Sequence, residues 1–267
     1  MVFNAQRFRF AAGAALLAAV ALTSAASADV DILFSEGDFD PGSWSTQTPF
    51  LSTPPVPGLT WSVSTDRFIG GDPFGEFILQ QFTMDVPAGE FTAFQAPVFF
   101  TGFTHDPTSE GAVLSLSASV KTLPVATDAS DGSGEIRLWL RQGGRRYALN
   151  TSSPNAGANF PDFFGFSMTD PEQTRTAVSL VPEDFMEFVA GVGFDSTSHP
   201  NFAGEPIDFG VGYSITTTGK AGAGQTTVVG AFDDVSFRLT AVPEPATLGM
   251  LSAAGVAGLL RRRRRAG

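Results

Sequence analysis

Along residues 113–121 the residue type switches at almost every step. Leu114, Leu116, Ala118 and Val120 take one side, and Ser115, Ser117, Ser119 and Lys121 take the other. In "FGVGYSIT", Phe209, Val211, Tyr213 and Ile215 share a face; in "VSFRLT", Val235, Phe237 and Leu239 alternate with Ser236, Arg238 and Thr240. Ile78, Phe82, Met84 and Val86 fall together in "EFILQQFTMDV". Successive side chains of an extended chain point to opposite faces, so a period of two predicts strands with one face on a core and one toward solvent. No internal window carries a helical stripe. Residues 29–241 hold 24 Gly, 16 Pro and 23 Phe. Gly and Pro end short elements, and Phe favours strands. The predicted fold class is therefore all-β: an antiparallel β-sandwich of the jelly-roll type. No internal repeat or low-complexity block interrupts it.

Both ends depart from this pattern. Arg7 and Arg9 precede a continuous apolar run, Ala11–Leu22, and Ala26-Ser27-Ala28 follows it. A basic flank, an apolar helix and a small-x-small site in that order predict a secretory signal peptide over 1–28, read by the secretion machinery and cut after Ala28, with Ala26 and Ala28 as the cleavage signature. At the other end, Ala246–Leu260 is apolar apart from Thr247 and Ser252. As a helix it spans about 22 Å, short of the ~30 Å hydrocarbon layer. The arginines that follow, Arg261, Arg262, Arg263, Arg264 and Arg265, have long stems that snorkel to the headgroups and a charge that stays on the cytoplasmic side. Pro243 and Pro245 cannot continue the helix, so 242–245 is expected to be extended at the outer surface. The chain divides into 1–28, an exported body at 29–241, and an anchor at 242–267.

The tail resembles the PEP-CTERM protein-sorting signal of Gram-negative bacteria. The resemblance rests on Val242-Pro243-Glu244-Pro245, the short apolar helix, and the arginine cluster, in that order. It implies that an exosortase in the inner membrane recognises the tail, cleaves near the Pro-Glu-Pro site and releases the body to the cell surface or matrix. Such systems usually accompany exopolysaccharide and biofilm production. The partners implied are the exosortase, the membrane as a transient anchor, and an exopolysaccharide.

A second resemblance joins the two ends of the body. "EGDFDPGSW" (Glu36–Trp44) and "FDDVSF" (Phe232–Phe237) resemble the opening and closing strands of galactose-binding-like, carbohydrate-binding jelly rolls. That family often holds a structural calcium there, and the matched positions are Asp40 and Asp233. Two carboxylates are not a coordination shell, and the same residues serve equally as a turn carboxylate and a strand-end cap.

Nine basic residues against 26 acidic ones leave 29–241 at −17. A body so acidic repels phosphate backbones, which argues against a nucleic-acid partner. With no cysteine, disulfides, thiolate metal sites and thiol nucleophiles are excluded. No Gly-x-Ser-x-Gly, His-Glu-x-x-His or phosphate-cradling loop occurs, and His105 and His199 lie in loop-like contexts. The chain is not expected to be an enzyme. Its many carboxylates leave open a pair spaced for glycoside cleavage. Asp128, Asp131 and Glu135 in "DASDGSGE" miss the spacing of an EF-hand calcium loop; they could share an ion or equally form a solvated turn between two strands.

The strand "EIRLWLRQGGRRY" carries the candidate ligand site. Ile136, Leu138 and Leu140 point one way, and Glu135, Arg137, Trp139 and Arg141 the other. A Trp flanked by charges can stack on a sugar ring while the arginines bond its hydroxyls. The Gly143-Gly144 turn is expected to bring Tyr147 nearby. The candidate set is Trp139, Arg137, Arg141 and Tyr147, with Trp139 packed under a loop or against an arginine as the other reading. The expected function is a surface or matrix protein, structural or polysaccharide-binding; a surface glycoside-active enzyme and a protein-binding adhesin are the alternatives.

Overall fold

A computed structural model describes residues 30–242 apart from 38, 40–41, 48, 52, 54–55, 70–75, 128–131, 157–162, 165–172, 220–221 and 223; the side chains of 123–127, 132–133, 163–164 and 173 are also outside it. The signal segment, the helix expected at Ala246–Leu260 and the arginine cluster fall outside the described residues. Among those described, no helix is long and apolar enough to cross a membrane.

Fifteen strands run in chain order: β1 Val30–Glu36, β2 Trp44–Thr46, β3 Phe50–Leu51, β4 Thr60–Ile69, β5 Glu76–Asp85, β6 Phe91–His105, β7 Val113–Thr127, β8 Gly132–Gln142, β9 Arg145–Leu149, β10 Phe163–Phe164, β11 Gln173–Leu180, β12 Phe185–Val189, β13 Gly193–Asp195, β14 Ile207–Thr218 and β15 Thr226–Ala241. Among the described residues a short α-helix, α1, spans Pro107–Glu110 between β6 and β7. Six strands form one sheet in the order β11-β7-β15-β5-β4, with β1 also on β15. Nine form the other in the order β13-β12-β9-β8-β14-β6-β2, with β10 on β8 and β3 on β6. The all-β, antiparallel sandwich expected from the alternation is what the chain forms.

The inner faces of the two sheets share one core. Ile78, Phe82 and Met84 of β5, Leu116 and Val120 of β7, and Phe232 and Phe237 of β15 pack with Phe94 and Val98 of β6, Leu138 of β8, and Phe209 and Val211 of β14. Leu114 departs from the expected face. It is 49% exposed, because the β7–β15 register slips between Thr240, opposite Ser115, and Ala241, opposite Val113. The extra residue of that bulge is Leu114 itself, turned out of the alternation.

Polar groups tie the sheets across the core. Gln80 of β5 is fully buried. Its amide donates to the Ala96 carbonyl on β6 at 2.7 Å, and its oxygen accepts from the Tyr213 N–H on β14 at 2.9 Å. The Tyr213 ring lies between the sheets, and its hydroxyl donates to the Ala231 carbonyl on β15 at 2.9 Å. Burial pushes that phenol far above its ordinary pKa, so it stays a donor. Gly230 makes the room: a Cβ there would meet the Tyr213 ring at 2.6 Å.

Replacing Gln80 by Leu strands the Tyr213 N–H and the Ala96 carbonyl in the core. Each unsatisfied group costs about 1–3 kcal/mol. Urea denaturation of Gln80→Leu is expected to show a loss of at least ~2 kcal/mol. Gln81→Leu, one residue on and exposed, is expected to stay within about 0.5 kcal/mol of the parent.

Candidate functional site

With Tyr213 and Ile215 of β14 held in the core, Ser214 and Thr216 must face outward from the nine-stranded sheet. Register then sets their neighbours. Ser214 lies opposite Gln95 of β6 on one side and Glu135 of β8 on the other. Gln95 Nε2 donates to Ser214 Oγ at 2.8 Å. Glu135 forms an ion pair with Arg137, whose Nη1 also donates to the Leu149 carbonyl at 3.3 Å. The guanidinium of Arg137 lies 4.6 Å over the ring of Phe194 on β13. These groups open on a cleft of about 340 Å³, walled on its apolar side by Phe91, Ala93 and Phe194.

Glu135 is 7% exposed, and its Oε2 has no hydrogen-bond partner among the described residues. A buried carboxylate oxygen without a donor is costly, and a ligand O–H or N–H entering the cleft removes that cost. The row Gln95–Ser214–Glu135 supplies a side-chain amide, a hydroxyl and a carboxylate side by side, with an aromatic wall beside them. Polar groups of that mix on one wall and apolar area on another suit a polyhydroxylated molecule.

The structure separates the four residues expected to form the site. Arg137 faces the cleft. Arg141 faces outward farther along β8, where its Nε donates to Asp208 Oδ2 at 2.8 Å and its guanidinium lies 5.0 Å over Phe99. Trp139 is on the outer face, as its alternation requires, but is wholly buried. Phe50 of β3 and Phe188 of β12 meet it edge-on at 6.1 and 5.9 Å, and Phe194 covers it at 6.4 Å. The Gly191 N–H donates to the Leu51 carbonyl at 3.1 Å, tying this cover together from both sides. Trp139 as a sugar platform is thus corrected to a packing residue. Tyr147 is also corrected: it pairs with Leu140 across the hairpin and so shares Leu140's inward face. Residues directly opposite in a two-residue hairpin lie on one face, so Arg146 and Ala148, and not Tyr147, accompany Arg141 and Trp139. Gln95, Ser214 and Phe194 are cleft residues that the sequence reading did not find, as is the role of Phe50 in covering Trp139.

The opening and closing segments do meet. β1 pairs with β15, the Trp44 indole N–H donates to the Phe39 carbonyl at 3.1 Å, and Phe39 meets Phe232 edge-on at 6.0 Å. Of the two positions matched to a calcium site, the structure describes one. Asp233 is buried with its Oδ1 accepting the Asp234 N–H at 2.7 Å, while Asp234 itself pairs with Lys121. Asp40 lies outside the described residues. Among the described residues, no group of three or more His, Asp and Glu side chains is placed to hold a metal ion.

Both histidines are engaged with main-chain carbonyls, His105 Nε2 with Gly111 at 2.8 Å and His199 Nδ1 with Phe185 at 2.7 Å. Among the described residues lining the cleft, Glu135 is the sole carboxylate.

Comparison with known proteins places the C-terminus first. Residues 241–265 match the PEP-CTERM protein-sorting motif. The chain carries a PEP-CTERM tail. Such a tail marks an exported exosortase substrate that is held transiently in the membrane. No curated protein matches the chain. Among solved structures, the family 11 carbohydrate-binding module of the cellulosomal cellulase Lic26A-Cel5E of Clostridium thermocellum aligns with a TM-score of 0.39 and 12% identity, over 80% of the PEP-CTERM chain and 96% of its own. TmCBM27, a carbohydrate-binding module that recognises mannan, aligns with a TM-score of 0.33 and 12% identity, over 79% and 98%.

Trp139→Ala removes a large ring from beneath Phe50, Phe188 and Phe194. A loss of about 3–5 kcal/mol in urea denaturation is expected. An unchanged Tm with lost ligand affinity would restore Trp139 as a sugar platform.

Proposed function

We propose that the exported body is a polysaccharide-binding component of the cell surface or extracellular matrix, and that it takes its ligand on the outer face of the nine-stranded sheet. The observation that carries this reading is the partnerless Oε2 of buried Glu135, set beside Gln95 and Ser214 in a cleft with an aromatic wall. A sugar hydroxyl donates to that oxygen and accepts from Ser214 or Gln95, while the less polar face of the ring lies on Phe194. The PEP-CTERM tail supports the setting, since it delivers the body outside the cytoplasm. An exopolysaccharide made by the same cell is the polymer closest to hand, and a biofilm matrix is the context in which the two meet. Binding, without bond cleavage, is the proposed activity.

Glu135→Gln keeps the shape of the side chain and removes the charge that strengthens a hydrogen bond to a hydroxyl. In isothermal titration with the producer's own polysaccharide, Glu135→Gln and Ser214→Ala are each expected to raise Kd about tenfold, the size of a ~1.4 kcal/mol loss. Thr83→Ala, on β5 of the opposite sheet, is expected to leave Kd unchanged. Equal affinity in all three variants would remove the cleft from the account. For the tail, mass spectrometry of material shed by the producing cell is expected to find the body without residues 246–267. Shed body still joined to that segment would instead indicate an ordinary permanent anchor.

A further inference from the structure

The exported body is strongly acidic, and its basic side chains are mostly taken up internally. Arg67 pairs with Glu76, Lys121 with Asp234, Arg137 with Glu135, Arg141 with Asp208, Arg145 with Glu187 and Arg238 with Asp31. Arg146 differs. It has neither a carboxylate nor a hydrogen-bond partner among the described residues. Its guanidinium lies 4.8 Å over the ring of Phe50, and its cross-strand neighbour is another arginine, Arg141. Partial burial and the Arg141 charge both pull its pKa down. Among the described residues Arg146 is thus a guanidinium with no carboxylate against it and a second arginine beside it, an arrangement that an anionic ligand group would complete.

Its position links it to the cleft. Arg146 shares the outer face with Arg141, and Arg141 follows Glu135 by six residues along β8. At about 3.3 Å per residue that separation is on the order of 20 Å. The half-buried rings of Phe194 and Phe50 lie between the two ends. Arg137 is stacked on the first ring and Arg146 on the second. A sugar chain seated on Glu135 and Ser214 can run across these rings and end its contact at Arg146.

Resting on the polysaccharide reading above, we propose that Arg146 is a carboxylate subsite and that the polymer bound is an acidic one, carrying uronate residues. A guanidinium whose one contact is the phenyl ring beneath it keeps its N–H groups free for a ligand. Their fork matches the two oxygens of a sugar carboxylate, which a lysine ammonium does not. The ring beneath fixes the fork in place before the ligand arrives.

The test uses the full chain in mild detergent and two probes, polygalacturonate and alginate, each compared with its carboxyl-reduced form. The reduced forms keep the backbone and lose the charge. The parent is expected to bind at least one acidic form tenfold or more tighter than its reduced counterpart. Arg146→Ala and Arg146→Gln are expected to abolish that preference, and Arg146→Lys to recover part of it. A body at −17 repels polyanions in general, so such a preference does not arise from bulk charge. Equal binding of acidic and reduced forms by the parent, or a preference that survives Arg146→Gln, overturns the proposal. If that equal binding still falls in Glu135→Gln, the polysaccharide reading stands without it. Binding of no acidic, reduced or neutral polymer overturns both.

Discussion

The position of Tyr213 governs the rest of the molecule. Its ring sits between the sheets in the space left by Gly230, its hydroxyl reaches β15, and its main-chain N–H is held by Gln80 of the opposite sheet. Apolar side chains alone tolerate sliding, because one buried Val or Phe replaces another at modest cost. A buried amide and phenol do not, since each has one set of partners and a misplaced one is left unsatisfied. In a strand a slip of one residue exchanges the two faces. Fixing Tyr213 inward therefore fixes Ser214 and Thr216 outward, and pairing with β6 and β8 carries the same phase to Gln95 and Glu135. The cleft on the outer surface is the other side of the register set inside.

That outer face is where three of the body's cations gather. Arg137, Arg141 and Arg146 lie on it, while Arg145, the preceding residue of β9, takes the opposite face; all four come from the β8–β9 hairpin, whose Gly143 and Gly144 both take positive φ and make the tight turn. Three are compensated by Glu135, Glu187 and Asp208, and two of the four rest on phenylalanine rings from the β3 and β12–β13 cover. The cover does double duty. It buries Trp139 and gives the guanidinium groups rigid seats. The PEP-CTERM tail marks the body that carries this surface as exported.

Much of the fold was legible from the chain. The alternation in 76–86, 113–121, 209–216 and 235–240 names four strands that form, and the Gly143-Gly144 turn names a hairpin that forms. Leu114 was misplaced because a bulge opposite Ala241 is a property of the pair of strands and leaves no mark on either alone. Trp139 was assigned the correct face. Whether that face is wet depends on Phe50 and Phe194, which arrive from distant segments with no local signal. Tyr147 was within reach: counting back from a two-residue turn pairs it with Leu140. Gln95 and Ser214 lie 119 residues apart and carry ordinary polar side chains, so only pairing through β14 and β6 brings them together. The sorting tail was the most legible part, because its Pro-Glu-Pro, its short apolar run and its arginine cluster follow one another in a fixed order along the sequence.

Hydroxyl-radical footprinting of the exported protein, with and without its producer's polysaccharide, tests the central claim most directly, because it reads side chains on both sheets at once. Phe91, Phe194 and Phe50 are expected to be shielded by the polymer, while Trp61 and Phe68 of the opposite sheet keep their reactivity. Shielding of Trp61 and Phe68 with Phe91 and Phe194 still open to attack would contradict it.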